Sequence, residues 1–507
     1  MKKQTVSISP MLSGFTRISC VTVLLFTLNA CGGSSGGDSA PGSAADSGGG
    51  ADTSSGSGSA PTIKLLDAND NLHGFELWKT DGTSAGTVLL KDINNTAAGV
   101  SSHAAGFTEF NSAFYFQADD GVNGIELWKT DGTAAGTVLL KDINTTTANA
   151  NSYPSGFTVF NSALYFTAVN SVDGRQKLWK TDGTSAGTVL VKDIYTPAIS
   201  SSYPNFTVFN GALYLAADDG VNGLELWKSD GTDAGTVLVK DINTTTDGAR
   251  SYPFGFTELN GVLYFQADDG VHGSELWKTD GTAAGTVLVK GINTTTDPYP
   301  GSWSSNPLSF IGFNGALYFQ ADDGVHGVEL WKTDGTAAGT ILVKDINTAP
   351  GPIPQPSNPA AFIVFNGALY FKANDGVNSG DFWKTDGTAA GTVRVQDITG
   401  ASFIDSHGLI VFSGALYFTT ENGNSYDLWK TDGSTVGTVL VKNFTSVSPY
   451  PWGTAYPFNF TEINGVLYFQ ADNGINGRES WITDGTAAGT QLLKDICPGV
   501  CDGFQYY

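Results

Sequence analysis

The chain has 507 residues, 40% of them hydrophobic and 12% aromatic, with only 15% charged and 64 glycines. That is ample apolar material for a packed body, and it fits many short strands and tight turns rather than a helical bundle or a disordered acidic tail. The net charge of −23 repels nucleic acid and anionic lipid headgroups and makes cations or neutral molecules the more natural partners.

Residues 1–30 have the build of a signal peptide. Lys2 and Lys3 open it, an apolar stretch from about Ile18 to Leu28 follows, and Leu28-Asn29-Ala30-Cys31 ends it. The stretch is about half of the roughly 20 residues a membrane-crossing helix needs, so no permanent transmembrane anchor is expected. The tetrapeptide resembles the lipobox of bacterial lipoproteins. That resemblance implies lipidation of Cys31 and, from Gly32 after it, delivery to the outer membrane; an ordinary secretory signal and a secreted protein are the alternative. Residues 31–60 are almost wholly Gly, Ser, Ala, Asp, Pro and Thr, a flexible tether with a reach of roughly 30 Å. Contact with the membrane is then expected only through the lipid.

Residues 61–507 repeat one design. ELWKTDGTxAGT or a close variant recurs nine times, with tryptophans at 78, 128, 179, 227, 277, 331, 383, 429 and 481, and a period near 50 residues marks a propeller or a solenoid. In the fifth unit Phe256 to Leu259 is strand-like, Asn260-Gly261 is a type I′ hairpin pair, and Val262 to Ala267 is a second strand. Ser274 to Thr279 and Thr286 to Ile292 supply two more. Strands such as Leu263-Tyr264-Phe265 are apolar on both faces and need cover on both sides. The expected fold is all-β: a closed β-propeller of about nine four-stranded blades. An open solenoid is the alternative, but the polar capping units it would carry are missing.

The two ends of the array fit closure. The first unit begins at Ile63 with what aligns to a second strand, and Gly503 to Tyr507 matches Gly106 to Phe110 in pattern, so a C-terminal strand is expected to complete blade one. Cys497 and Cys501 remain once Cys20 and Cys31 are set aside. They are too few for structural zinc and wrongly spaced for CxxC chemistry; a local disulfide is expected, with free thiols the alternative.

The repeated motif resembles the bacterial ELWxxDGT-repeat proteins from Ile63 onward, and every unit keeps the Trp, the Asp-Gly and the later Gly-Thr. The resemblance implies an exported or envelope-associated propeller and no defined activity. Departures are few: Lys177, Asp381 and Asp427 replace the glutamate, and Ser480 the leucine.

Residues present in all units are expected to be architectural. Each Trp should pack between blades, and each Asp before Gly should close its turn through an Asx hydrogen bond. Glu275 could face Lys290 across two strands, although Lys177 would then meet Lys192. The acidic second turns, such as Asp119 to Gly124, are rich in oxygen yet do not match the EF-hand loop; no cofactor is expected, and calcium is left open. The five histidines form no ligand cluster.

Strand alternation sends the second turns and the loops between blades to one end of the ring. Variable loops on a rigid scaffold commonly carry binding, and here they hold aromatics beside proline: Tyr153, Tyr203, Tyr252, Tyr299 with Trp303, and Tyr450 with Trp452 and Tyr456. Tyr299, Trp303, Tyr450, Trp452 and Tyr456 are the candidate ligand residues; no catalytic set is recognised. Asp173 with Arg175, and Glu421 with Tyr426 and Asp427, are polar groups that break the repeat. The reading is a monomeric, envelope-tethered, non-catalytic binding or adhesion module for a glycan or protein. A propeller hydrolase or lyase acting on glycans, possible with calcium, is the alternative and would need paired carboxylates.

Overall fold

The computed structural model describes residues 63–504 apart from 171–172, 197–205, 296–303, 352, 378–379, 396–401, 404–408, 423–424, 435, 446–455 and 500. Residues 1–60, where a signal peptide, lipidated Cys31 and a tether are expected, lie outside the described residues.

The fifth blade shows how the sequence becomes a sheet. Its strands run Phe254–Leu259, Val262–Asp268, Ser274–Thr279 and Val287–Lys290, paired in chain order and all antiparallel. Asn260 and Gly261 both have positive φ, 53° and 77°, which is what a two-residue I′ turn requires. Phe265 stands opposite Trp277. A bulge between Leu276 and Trp277 then sets Leu276 opposite Lys290 and Trp277 opposite Leu288.

Nine such antiparallel blades make a nine-bladed propeller, and no helix occurs among the described residues. The first strands of successive blades approach one another, so they line the axis and the fourth strands form the rim. The core is divided among the interfaces between blades. Trp277, for example, packs with Leu226, Val239 and Ile242 of the fourth blade and Leu263 and Phe265 of its own. Eight of the nine tryptophans are only 5–7% exposed, each burial contributing about 2–3 kcal/mol; Trp429 is half-buried.

Lysines clasp each blade to the next. Lys278 donates to the Gly335 carbonyl at 2.8 Å and Lys290 to that of Thr340 at 2.8 Å. The Lys290 ammonium also lies 5.7 Å from the Trp331 ring centroid, a cation–π arrangement.

The ring closes by the same contacts. Lys494 of the ninth blade donates to the Thr87 carbonyl of the first at 2.6 Å, and Asn464 to that of Asp81 at 2.9 Å. Trp78 packs with Ile463, Leu493 and Ile496. These contacts replace the open solenoid alternative.

The first blade supplies three strands of its own, Lys64–Asn69, Phe75–Thr80 and Val88–Lys91. The C-terminal segment joins it: the Gly503 carbonyl accepts from Asn69 N at 2.9 Å, and Phe504 is buried between the first and ninth blades. The register differs from the expected one. Ser102 makes the equivalent bonds in the second blade, to Phe75 and Asp119, so Gly503 takes the place of Ser102 rather than Gly106. The turn that leads into it contains the expected Cys497–Cys501 disulfide.

Candidate functional site

The repeated residues are absorbed by the scaffold. In the third turn of the fifth blade, Asp280 Oδ1 accepts from Thr282 N and Oγ1, both at 2.8 Å. Gly281 follows with φ 95°, so the expected Asx closure is present. The side chain of Thr282 sets the carboxyl below its ordinary pKa, with the Thr282 amide adding to the effect.

The glutamate does not face the lysine. Because the bulge puts Lys290 opposite Leu276, Glu275 instead turns into the linker that leads to the next blade. It is fully buried there, accepting from Ile292 N at 2.8 Å, Asn293 N at 3.2 Å and Ser305 Oγ at 2.6 Å. Burial pushes its pKa up to about 7 against the opposing pull of those bonds. Glu76, Glu126, Glu225 and Glu329 behave alike, and Glu479 is pushed to about 8. Each pins the peptide that starts a linker, so it positions the loops of one end of the ring. In the third unit Lys177 pairs with Asp193 at 2.7 Å instead.

That end is built from second turns meshed with linkers. A Cβ on Gly121 would meet the Asn94 and Thr96 side chains of the preceding linker, and one on Gly223 the Ala249 carbonyl. Most of these turns are locked by their own Asp or Asn side chains: in the fifth blade Asp268 Oδ1 accepts from Gly270 N, and Asp269 Oδ1 from Val271 N and His272 N, at 2.7–2.9 Å. His272 Nδ1 lies 2.8 Å from Asp269 Oδ2. Burial would raise the Asp269 pKa, but these bonds, from the His272 side chain first, leave it below its ordinary value. The turn oxygens thus serve their own backbone, and no group of three or more His, Cys, Asp or Glu suited to a metal occurs among the described residues.

At the tip of seven of these turns stands an aliphatic side chain: Leu72, Val122, Val221, Val271, Val325, Val377 and Ile475, 62–85% exposed. Sequence reasoning missed these; the signal was a Val, Leu or Ile at one fixed place among turn polar residues.

The eighth blade departs most from the repeat. Its second and third strands, Ala415–Asn422 and Ser425–Thr431, are long, and Ser402–Phe403 adds a fifth strand beside Thr420 and Glu421. At this extended end Glu421 is opposite Tyr426, whose hydroxyl donates to Glu421 Oε1 at 3.5 Å. The Tyr456 ring stands edge-on to Tyr426 at 6.0 Å and to Phe458 at 5.6 Å. Burial first, then the Glu421 charge, raises the Tyr426 pKa, so the phenol keeps its proton and remains a donor. Asp427 Oδ1 accepts from Asn443 Nδ2 at 2.6 Å and Ser425 Oγ at 3.3 Å.

The structure therefore brings Tyr456 together with Glu421 and Tyr426. Tyr299, Trp303, Tyr450, Trp452 and Tyr203 lie outside the described residues. Tyr153 and Tyr252 are exposed, at 46% and 53%. Asp173 Oδ1 accepts from Arg175 N within one turn, and the Arg175 guanidinium lies 5.5 Å from the Tyr195 ring centroid. Asp173 and Arg175 thus form a local turn and a cation–π contact.

At the opposite end a cleft of roughly 530 Å³ opens between the seventh and eighth blades, lined by Asn366, Tyr370, Lys384, Asp386, Val393 and Asp432 among others. Gln396 holds the sequence position of the fourth-strand lysine found in the other eight units.

No protein-family model and no curated protein matches the chain. Among solved structures it is similar to a prolyl endopeptidase, at 12% identity and a TM-score of 0.40, over 72% of this chain and 54% of that one. A puromycin hydrolase matches at 14% and 0.37, over 79% and 61%, and a Mycobacterium tuberculosis puromycin-hydrolyzing peptidase at 11% and 0.36, over 73% and 57%. This chain thus spans less than two thirds of the length of each. Likeness at this level carries nothing about activity.

Proposed function

We propose that this chain is a non-catalytic binding or adhesion module of the ELWxxDGT-repeat type, held at the outer membrane by a lipid on Cys31. It engages a glycan or a protein through the end of the ring that carries the second turns and linkers. The observation that supports this reading is the Tyr426–Tyr456–Glu421 group. It lies where the chain breaks its own repeat, and a site needed once is expected where nine copies stop being equal. Half-buried tyrosine rings beside a carboxylate suit stacking on a sugar face or holding a cationic side chain. Asp427, the other carboxylate of this blade, is occupied by Asn443 and Ser425.

A glycan array probed with the full chain tests the reading. Saturable binding without turnover, lost in the Tyr426→Ala/Tyr456→Ala double variant, is the expected result for a glycan ligand. Release of cleaved or unsaturated sugar would replace the reading with an enzymatic one. Binding that survives the double variant would move the site away from the eighth blade.

A further inference from the structure

The seven aliphatic tips have no structural task. An apolar side chain that recurs because the fold packs it is buried, as the tryptophans are, whereas these side chains are 62–85% exposed. Nor are they carried on loose loops. The amide of each tip residue donates to the side chain two positions earlier: Val122 to Asp120, Val271 to Asp269, Val325 to Asp323, Val377 to Asp375, all at 2.9 Å, and Ile475 to Asn473 at 3.0 Å. The aliphatic groups are thus held out toward solvent on closed turns, where rigid presentation lowers the entropy cost of docking.

Charge narrows the partner. Six of the seven turns carry an aspartate two residues before the tip, at Asp70, Asp120, Asp219, Asp269, Asp323 and Asp375, and the ninth blade has Asn473 there, while the repeat's lysines reach toward carbonyls at the other end, as Lys278 does to Gly335 and Lys290 to Thr340. A carboxylate-studded crown repels an anionic lipid surface, and a like-charged second copy facing it tip to tip. A sugar gains little from bare valines. Apolar knobs among fixed negative charges are complementary to a polypeptide that offers apolar groups framed by Lys and Arg.

We infer that the ring of second-turn tips is a docking surface for a basic, amphipathic polypeptide partner, contacted at several blades at once. This rests on the proposed role of the same end of the ring and assigns it a protein ligand. Several weak contacts on one rigid ring add through effective concentration, so single-tip changes have small effects and combined ones large effects.

The test is fluorescence anisotropy of the full chain with two labelled peptides of equal charge, one alternating Lys-rich and Leu-rich turns and the other with every Leu replaced by Ser. Variants are Val122→Ser/Val221→Ser/Val271→Ser/Val325→Ser and, as a control, Tyr426→Ala/Tyr456→Ala. The Lys/Leu peptide is expected to bind the wild type at least tenfold more tightly than the Lys/Ser peptide. The quadruple variant should lose that preference while its thermal midpoint holds, since the changed side chains are exposed. Equal binding of both peptides, or an undiminished preference in the quadruple variant, overturns the inference, as does self-association of the chain through these tips in sedimentation. Loss of glycan binding in the tyrosine variant with peptide binding intact separates this surface from the eighth-blade site, whereas loss of the peptide preference in the tyrosine variant overturns the inference.

Discussion

Replacing Glu275 by Gln removes one buried titrating group while keeping its shape, and the consequence is a change of slope in stability against pH. An unfolded glutamate titrates near 4.3; Glu275 in the fold is pushed up to about 7. Between those values the folded chain holds a proton that the unfolded chain has released, so the free energy of unfolding falls as pH rises. The contribution is fully present below about pH 4.3 and gone above about pH 7. In the middle of that window each such group contributes a slope of ~1.4 kcal/mol per pH unit. Glu275→Gln should therefore flatten the wild-type curve by about that much between roughly pH 5 and 6.5. It should also cost about 1 kcal/mol at low pH, because Ile292 N and Asn293 N donate to different oxygens of the carboxyl group and the NH2 that replaces one of them cannot accept. Urea unfolding followed by tryptophan fluorescence at half-unit pH steps measures both. Parallel wild-type and variant curves would refute the reasoning, since they would mean that the buried carboxyl titrates alike in both states.

Trp277→Ala should destabilise the chain by about 3–5 kcal/mol, the usual cost of emptying a packed aromatic site, and Trp429→Ala by clearly less because that ring is half-buried; thermal melts compare the two. Gly281→Ala should lower the thermal midpoint, because φ at this position is 95° and the new methyl would meet the Tyr214 hydroxyl. Labelled palmitate should enter the chain in a bacterial host and disappear in Cys31→Ser, with the protein then recovered from the soluble fraction. Labelling that persists in that variant would contradict the lipoprotein reading.

Blade content and approximate blade count were legible because hairpin pairs such as Asn260-Gly261 and a tryptophan every 50 or so residues are local signals. Three features were not. The bulge after Leu276 has no residue signature, and it alone turns Glu275 away from Lys290 and into the linker. The C-terminal register depends on the length of the turn after Ile496: Gly503 comes six residues after Cys497, whereas Ser102 comes eight after Asn94, so matching by pattern alone slipped by four. The Tyr426–Tyr456 pairing joins a strand to the following linker and could not be read from either segment. Glu421 and Tyr426 stood out only as departures from the repeat, and the structure supplied their neighbours. The tips were visible as a recurring Val, but their exposure is a property of the closed turn.

A single end of the ring exists only if the ring is shut, so the distance between the first and ninth blades is the decisive quantity. Spin labels at Ser84 and Glu462, two exposed positions beside the Gly82–Ile463 and Asp81–Asn464 contacts, should give one short, narrow distance in a pulsed dipolar measurement on the full chain. A long or broad distribution would mean that the blades form an open arc, and the shared binding end would no longer stand.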